Sequence, residues 1–134
     1  MKIALCIDDD NGMMFNKRRQ SRDSELIKDL ISLAGERKIL ILPFSEILFS
    51  GYEDKITVSD DIISSAEDDD ICFLENTDPA EFEDKISEII LYRWNRRYPS
   101  DLKFTLDLSG YTLKNQTEFA GSSHEKITRE EYVK

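Results

Sequence analysis

The sequence predicts one α/β domain over residues 1–134: a mixed, mostly parallel sheet with flanking helices, closed by a C-terminal antiparallel hairpin. Three observations predict it. Short, wholly apolar runs alternate with segments of helical period, as in parallel strands covered on both faces. The last third instead alternates apolar and polar residues, as in strands with one wet face. Hydrophobic residues make up 40% of the chain and aromatics 10%, enough for a core at this length and too much for a wholly disordered chain.

Lys2 to Ile7 reads as a buried first strand, ended by the turn signal Asp8-Asp9-Asp10-Asn11-Gly12. A polar, basic loop follows from Asn16 to Arg22. Leu26, Ile27, Leu30, Ile31 and Ala34 then recur at helical spacing, with Ser21 or Asp23 as cap and Gly35 as stop. Lys38 to Leu42 is a second buried strand, closed by Pro43, and Phe44 to Phe49 suits a short helical turn. Gly51 to Thr57 is ambiguous. Ser59 to Ala66 reads as a second helix capped by Ser59. Ile71 to Leu74 is a third core strand, Pro79 to Ile86 a helix with proline at its first position, and Glu88 to Tyr92 a fourth strand. Lys103 to Leu106 and Tyr111 to Phe119, joined through Ser109-Gly110, form the expected hairpin, and Glu125 to Lys134 a short edge strand.

Charge and cysteine content narrow the function. The chain carries 18 Lys+Arg against 28 Asp+Glu, a formal charge of −10. That argues against a nucleic-acid or anionic-membrane binder and suits a basic protein partner. Cys6 and Cys72 lie in predicted core strands and read as reduced thiols. With no leader-like stretch and no apolar run near the ~20 residues of a membrane span, the expected location is the cytoplasm.

Three segments carry candidate chemistry. Asn16, Arg18, Arg19, Gln20 and Arg22 precede a helix after strand one, where open α/β sheets hold anions. Arg93, Trp94, Asn95 and Arg96 follow the fourth strand and can reach the same sheet edge. The stretches 16–23 and 92–99 hold seven of the 18 cations, and the second holds the only tryptophan. Guanidinium groups grip carboxylates or phosphates, and an indole offers a stacking face. The ordinary alternative is a solvated basic surface balancing acidic neighbours. The third segment, Ser122-Ser123-His124-Glu125, holds the residue types of a nucleophile, a base and an orienter, though neighbours in a chain rarely face one another so. His124 is the only histidine. Neither common glycine-rich phosphate loop is present, and one histidine with no paired cysteines makes no zinc site. No metal and no cofactor are expected.

Two resemblances rest on these residues. The segments Asn11-Gly12-Met13-Met14-Phe15-Asn16, Arg19-Gln20-Ser21-Arg22-Asp23, Tyr92-Arg93-Trp94-Asn95-Arg96 and Gly121-Ser122-Ser123-His124-Glu125-Lys126 resemble those of a family of small bacterial proteins common in Firmicutes, over essentially the whole chain. Its members often carry the name ribonuclease Z. That enzyme is a metallohydrolase with a His-rich metal motif, which a single histidine does not supply. More remotely, the order of elements resembles dihydrofolate reductase. Lys2 to Ile7 with the basic loop is similar to its first strand and substrate loop, and Ile71 to Leu74 to the strand before its cofactor glycines. Ile86 to Tyr92 and Phe104 through Tyr132 are similar to its closing strands. The resemblance implies a dihydrofolate-reductase-like fold and places Asp23 near the family's substrate-binding acid. Glu75 and Asn76 stand where the glycine pair is called for, the Pro-Trp of the substrate loop is absent, and the chain is short around residues 43 to 70. The fold is therefore expected without the reductase activity.

The expected function is binding of a small anionic ligand, phosphate- or nucleotide-like, in a pocket joining the loop 16–23 to Arg93, Trp94, Asn95, Arg96, Ser122 and Ser123. Asp23 and His124 are its proton carriers, and Arg19→Ala is expected to weaken the ligand with little loss of stability. The alternatives are an immunity protein or antitoxin that inhibits a basic toxin, and a divergent reductase.

Overall fold

The computed structural model describes residues 1–134. Strand β1 (Lys2–Ile7) is an unbroken apolar run and lies at the centre of the sheet. After it come β2 (Gly12–Phe15) and β3 (Arg18–Arg19), helix α1 (Ser24–Ala34), β4 (Ile39–Ile41), β5 (Ile56–Val58), α2 (Ile62–Ser65), β6 (Ile71–Phe73), β7 (Glu88–Arg93), β8 (Leu102–Lys103), β9 (Thr112–Phe119) and β10 (Ile127–Val133). Seven of these strands form one sheet in the order β5-β4-β6-β1-β7-β10-β9. The first five are parallel; β10 runs antiparallel to β7, and β9 antiparallel to β10. The strands β3-β2-β8 form a second, small sheet.

Strand alternation splits the core into two layers. Ile3, Leu5, Ile7, Leu74, Ile89 and Leu91 pack on one face with Ile62, Phe82 and Phe104. Ala4, Phe73, Ile90 and Tyr92 pack on the other against Leu26, Ile27, Leu30 and Ala34 of α1 and against Phe49. α1 begins where Asp23 accepts a hydrogen bond from the Glu25 N–H at 2.9 Å, and ends at Gly35, whose φ of +63° with ψ of −123° favours glycine. The buried Tyr92 hydroxyl donates to Asp29 of α1 at 2.7 Å, and Arg129 of β10 grips the same carboxylate at 2.7 and 2.8 Å. The helix is thus tied to two neighbouring strands.

Four expectations need correction. The hairpin is β9 with β10, not 103–106 with 111–119: Lys103 pairs back to Gly12, and Leu108–Gly110 is a 3₁₀ turn. The tail is not an edge strand, because β10 pairs with β7 on one side and β9 on the other. Pro79–Lys85 is two 3₁₀ turns broken at Phe82, which leaves the helical region to fill the core. The second helix is only Ile62–Ser65, capped by Asp61 rather than Ser59. The basic loop also hides structure: Asn16 and Lys17, at φ +52° and +61°, make a two-residue turn that joins β2 to β3.

Cys6 and Cys72 are free thiols, and burial pushes Cys72 up to about 11. No helix is long and apolar enough to cross a membrane.

Candidate functional site

The carboxyl ends of β1, β6 and β7 open into a partly enclosed cleft. Such ends are where open α/β sheets present loops rather than covering helices. The cleft is nearly filled by its own side chains and leaves about 20 Å³, room for a single water. Cys6, Met13, Leu26, Ile27, Leu48, Phe73, Leu74 and Trp94 make its apolar wall; Arg19, Gln20, Ser21, Arg22, Asp23 and Glu75 supply polar groups. A shallower, more open groove of about 380 Å³ adjoins it, sharing Arg22, Asp23, Ile27 and Leu48 and adding Ser24, Ile47, Ser50, Tyr52, Ser122 and Ser123.

Asp23 organises one wall. Oδ1 accepts from the N–H groups of Glu25 at 2.9 Å and Ser122 at 2.8 Å and from the Ser122 hydroxyl at 3.0 Å. Oδ2 accepts from the Ser123 N–H and from His124 Nδ1, both at 2.9 Å. Burial alone would raise the carboxyl, but these donors outweigh it and hold Asp23 far below the ordinary carboxylate range. An ionised Asp23 places the ring proton on Nδ1 and leaves the lone pair on Nε2. Two hydroxyls face that lone pair, Tyr98 at 2.8 Å and Ser21 at 3.2 Å. The ring is held by stacking on Trp94, with centroids 4.5 Å apart and planes 21° from parallel.

Asp8 does similar work at the turn after β1. Its buried carboxylate accepts from the N–H groups of Asp10, Gly12 and Tyr98 and from the Gln20 amide. Burial opposes the charge, and these bonds still hold Asp8 below its usual value. Gly12 is needed there, because a Cβ would overlap Ser100 and the Gln20 amide. Gln20 is pinned between Asp8 and the Pro99 carbonyl, and its Oε1 is buried without a donor.

The structure brings together parts of all three segments expected to carry chemistry. Ser21, Asp23, Ser122, Ser123, His124 and Trp94 meet, with Tyr98 added. Several arginines are otherwise committed. Arg19 makes two bonds to Glu75, at 2.9 and 3.0 Å, donates to the Phe44 carbonyl and lies over the Phe44 ring. Arg93 pairs with Glu130 at 2.8 Å. Asn95 turns at φ +59° and bonds the Lys126 carbonyl and Thr128. Asn16 is an exposed turn residue, and Arg18 lies exposed outside the cleft. Arg96 is exposed in a separate hollow with Trp94, His124 and Lys126. Arg22 alone combines exposure, no carboxylate partner and a place on both the cleft and its groove. Ser122 and Ser123 both donate to Asp23 and line the groove. No three His, Cys, Asp or Glu side chains group as metal ligands.

Sequence reasoning found His124 but assigned its partners to Ser122, Ser123 and Glu125. Of these only the Ser123 hydroxyl touches the ring, 3.2 Å from Nδ1; the other partners are Asp23 and the hydroxyls of Ser21 and Tyr98, and Glu125 is exposed. No local signal marks contacts spanning up to 103 positions. Cys6 lies in the cleft, but burial and then the charges of Glu75 and Asp23 push its thiol well above the ordinary value, which removes it as a nucleophile near neutrality.

No protein-family model and no curated protein sequence matches the chain. Among solved structures, dihydrofolate reductase from Enterococcus faecalis, complexed with NADP(H) and RAB-propyl, is similar in fold. The TM-score is 0.67 over 98% of this chain and 94% of that one, at 9% identity. The fold is therefore dihydrofolate-reductase-like, and the likeness extends no further than the fold.

Proposed function

We propose that the groove beside the cleft binds a compact molecule that carries an anionic group, with its apolar part against Ile27, Ile47, Leu48 and Tyr52 and the anion at Arg22. One observation carries this reading. Arg22 is the exposed guanidinium without a carboxylate partner at the junction of the apolar cleft and the hydroxyl-lined groove. A cation so placed recognises a carboxylate or phosphate by paired hydrogen bonds. The resemblance to the small bacterial family belongs to the same proposal, because its segments 11–23, 92–96 and 121–126 supply much of this wall. Two free thiols support a cytoplasmic location.

A nicotinamide dinucleotide does not fit the residues present. Glu75 sits at the end of β6 with its carboxylate in the cleft, held by Arg19 and by the Ser45 hydroxyl at 2.7 Å. Among residues 43–70 Lys55 is the one cation, against nine carboxylates. Cofactor phosphates would meet repulsion on both counts, so the reductase reading has no support.

The test is titration calorimetry against aryl carboxylates, alkyl phosphates and nucleotides. Arg22→Ala should weaken the ligand that binds by about tenfold, or ~1.4 kcal/mol, and Arg18→Ala should leave it unchanged. Equal effects of the two variants would refute the placement.

A second reading, an inhibitor of a basic protein partner, draws support from the exposed runs Glu53-Asp54, Asp60-Asp61 and Glu67-Asp68-Asp69. Only Asp69 of these makes an ion pair, with Arg37. Association with such a partner should slow as salt rises.

A further inference from the structure

We propose that Ser21, His124 and Asp23 form a nucleophile, base and orienter that cleave a carboxylic ester whose acyl group lies in the groove that shares Arg22 and Asp23 with the cleft. The proposal rests on the reading of that groove as a ligand site. Asp23 holds the Nδ1 proton at 2.9 Å, Trp94 stacks on the ring, and Nε2 faces the Ser21 hydroxyl at 3.2 Å. Ser21 is half-buried and lines the one-water space of the cleft, which a carbonyl oxygen reaching in from the groove would fill. The backbone N–H groups from Gln20 to Asp23 donate to no protein acceptor, and those of Ser21 and Arg22 are free for a developing oxyanion.

In the first step the Ser21 Oγ–H proton passes to Nε2 as Oγ bonds the ester carbon. The C–O bond of the ester then breaks, and the leaving alcohol takes the proton from Nε2. In the second step water adds to the acylated Ser21, giving its proton to Nε2, and the Oγ–C bond breaks with return of that proton to Oγ. The sum is ester plus water giving acid and alcohol, with no other reactant.

Tyr98 sets the resting state. Its hydroxyl is nearer to Nε2 than that of Ser21, 2.8 against 3.2 Å, and one lone pair cannot serve both fully. Removing it should therefore speed Ser21 rather than slow it. A hydroxyl with a purely structural role makes no such forecast.

The test is covalent labelling with a fluorophosphonate, sited by peptide mass spectrometry, together with hydrolysis of p-nitrophenyl butyrate. Wild-type protein should carry one adduct, on Ser21; Ser21→Ala should lose it and at least tenfold of the hydrolysis; Tyr98→Phe should label several-fold faster. No adduct on wild type and Tyr98→Phe, or adducts spread equally over Ser21, Ser122 and Ser123, overturns the proposal. Butyrate binding to Ser21→Ala, followed by calorimetry, separates the two readings. Binding without labelling of wild type leaves the ligand site standing and removes the triad, whereas labelling without butyrate binding removes the anion site at Arg22 alone.

Discussion

Asp23→Asn should destabilise the protein by about 4 kcal/mol and reverse the tautomer of His124. Asparagine keeps the shape but turns one oxygen into an NH₂ group. At Oδ1 that group would oppose the N–H donors of Glu25 and Ser122; at Oδ2 it would oppose the Ser123 N–H and His124. The second orientation costs less, because the imidazole can move its proton to Nε2 and accept at Nδ1. The Ser123 N–H is then orphaned, at about 1–3 kcal/mol. The three bonds to Oδ1 lose their charge, at roughly 0.5–1 kcal/mol each. The sum is about 4 kcal/mol, or roughly 15 °C in Tm for a chain of this size. Urea unfolding gives the energy. Long-range ¹H–¹⁵N spectra give the tautomer without ambiguity, since His124 is the only histidine. Wild type should show a protonated Nδ1 and the variant a protonated Nε2. A loss below 1 kcal/mol, or the same tautomer in both proteins, would refute the account of Asp23.

Acid should be the weak side of the stability curve. Asp8 and Asp23 both have folded pKa values below their unfolded ones, so their stabilisation is complete above about pH 4 and is lost as pH falls below it. Denaturant midpoints measured between pH 7 and pH 2 should fall, less steeply in Asp8→Asn. Arg19→Ala should cost about 2–3 kcal/mol, against the expectation of little loss, because it leaves the nearly buried Glu75 uncompensated. Arg19→Met with Glu75→Gln should recover most of that in urea melts. Gly121→Ala should cost about 2 kcal/mol, since its Cβ would overlap the fixed Asp23 carboxylate and stand 2.9 Å from the His124 carbonyl oxygen. Tyr92→Phe should cost about 1–2 kcal/mol by removing the donor to Asp29, measured the same way.

Four of the five parallel strands were legible because burial on both faces writes itself as the apolar runs within 2–7, 39–41, 71–73 and 88–93; Ile56–Val58, with two exposed residues at the sheet edge, left only an ambiguous trace. Helix α1 was legible from its period and its Asp23 and Gly35 ends. The hairpin was misplaced because alternation marks a strand's wet face and not its partner: Lys103 and Tyr111 fit the pattern, yet the ladder runs from Thr112 to Val133. The site was half legible. His124 and Asp23 stood out as residue types, but their contact spans 101 positions and leaves no local trace. Arg19 and Arg93 looked available because sequence does not reveal that Glu75 and Glu130 face them.

The stacking of Trp94 on His124 gives the molecule an optical readout of its own. These are its only tryptophan and its only histidine, and their rings lie 4.5 Å apart. An imidazolium quenches an excited indole where a neutral ring does not. All tryptophan emission therefore comes from one wall of the cleft, and proton movement at Nε2, acylation of Ser21 or rotation of the ring would each change it without any label attached.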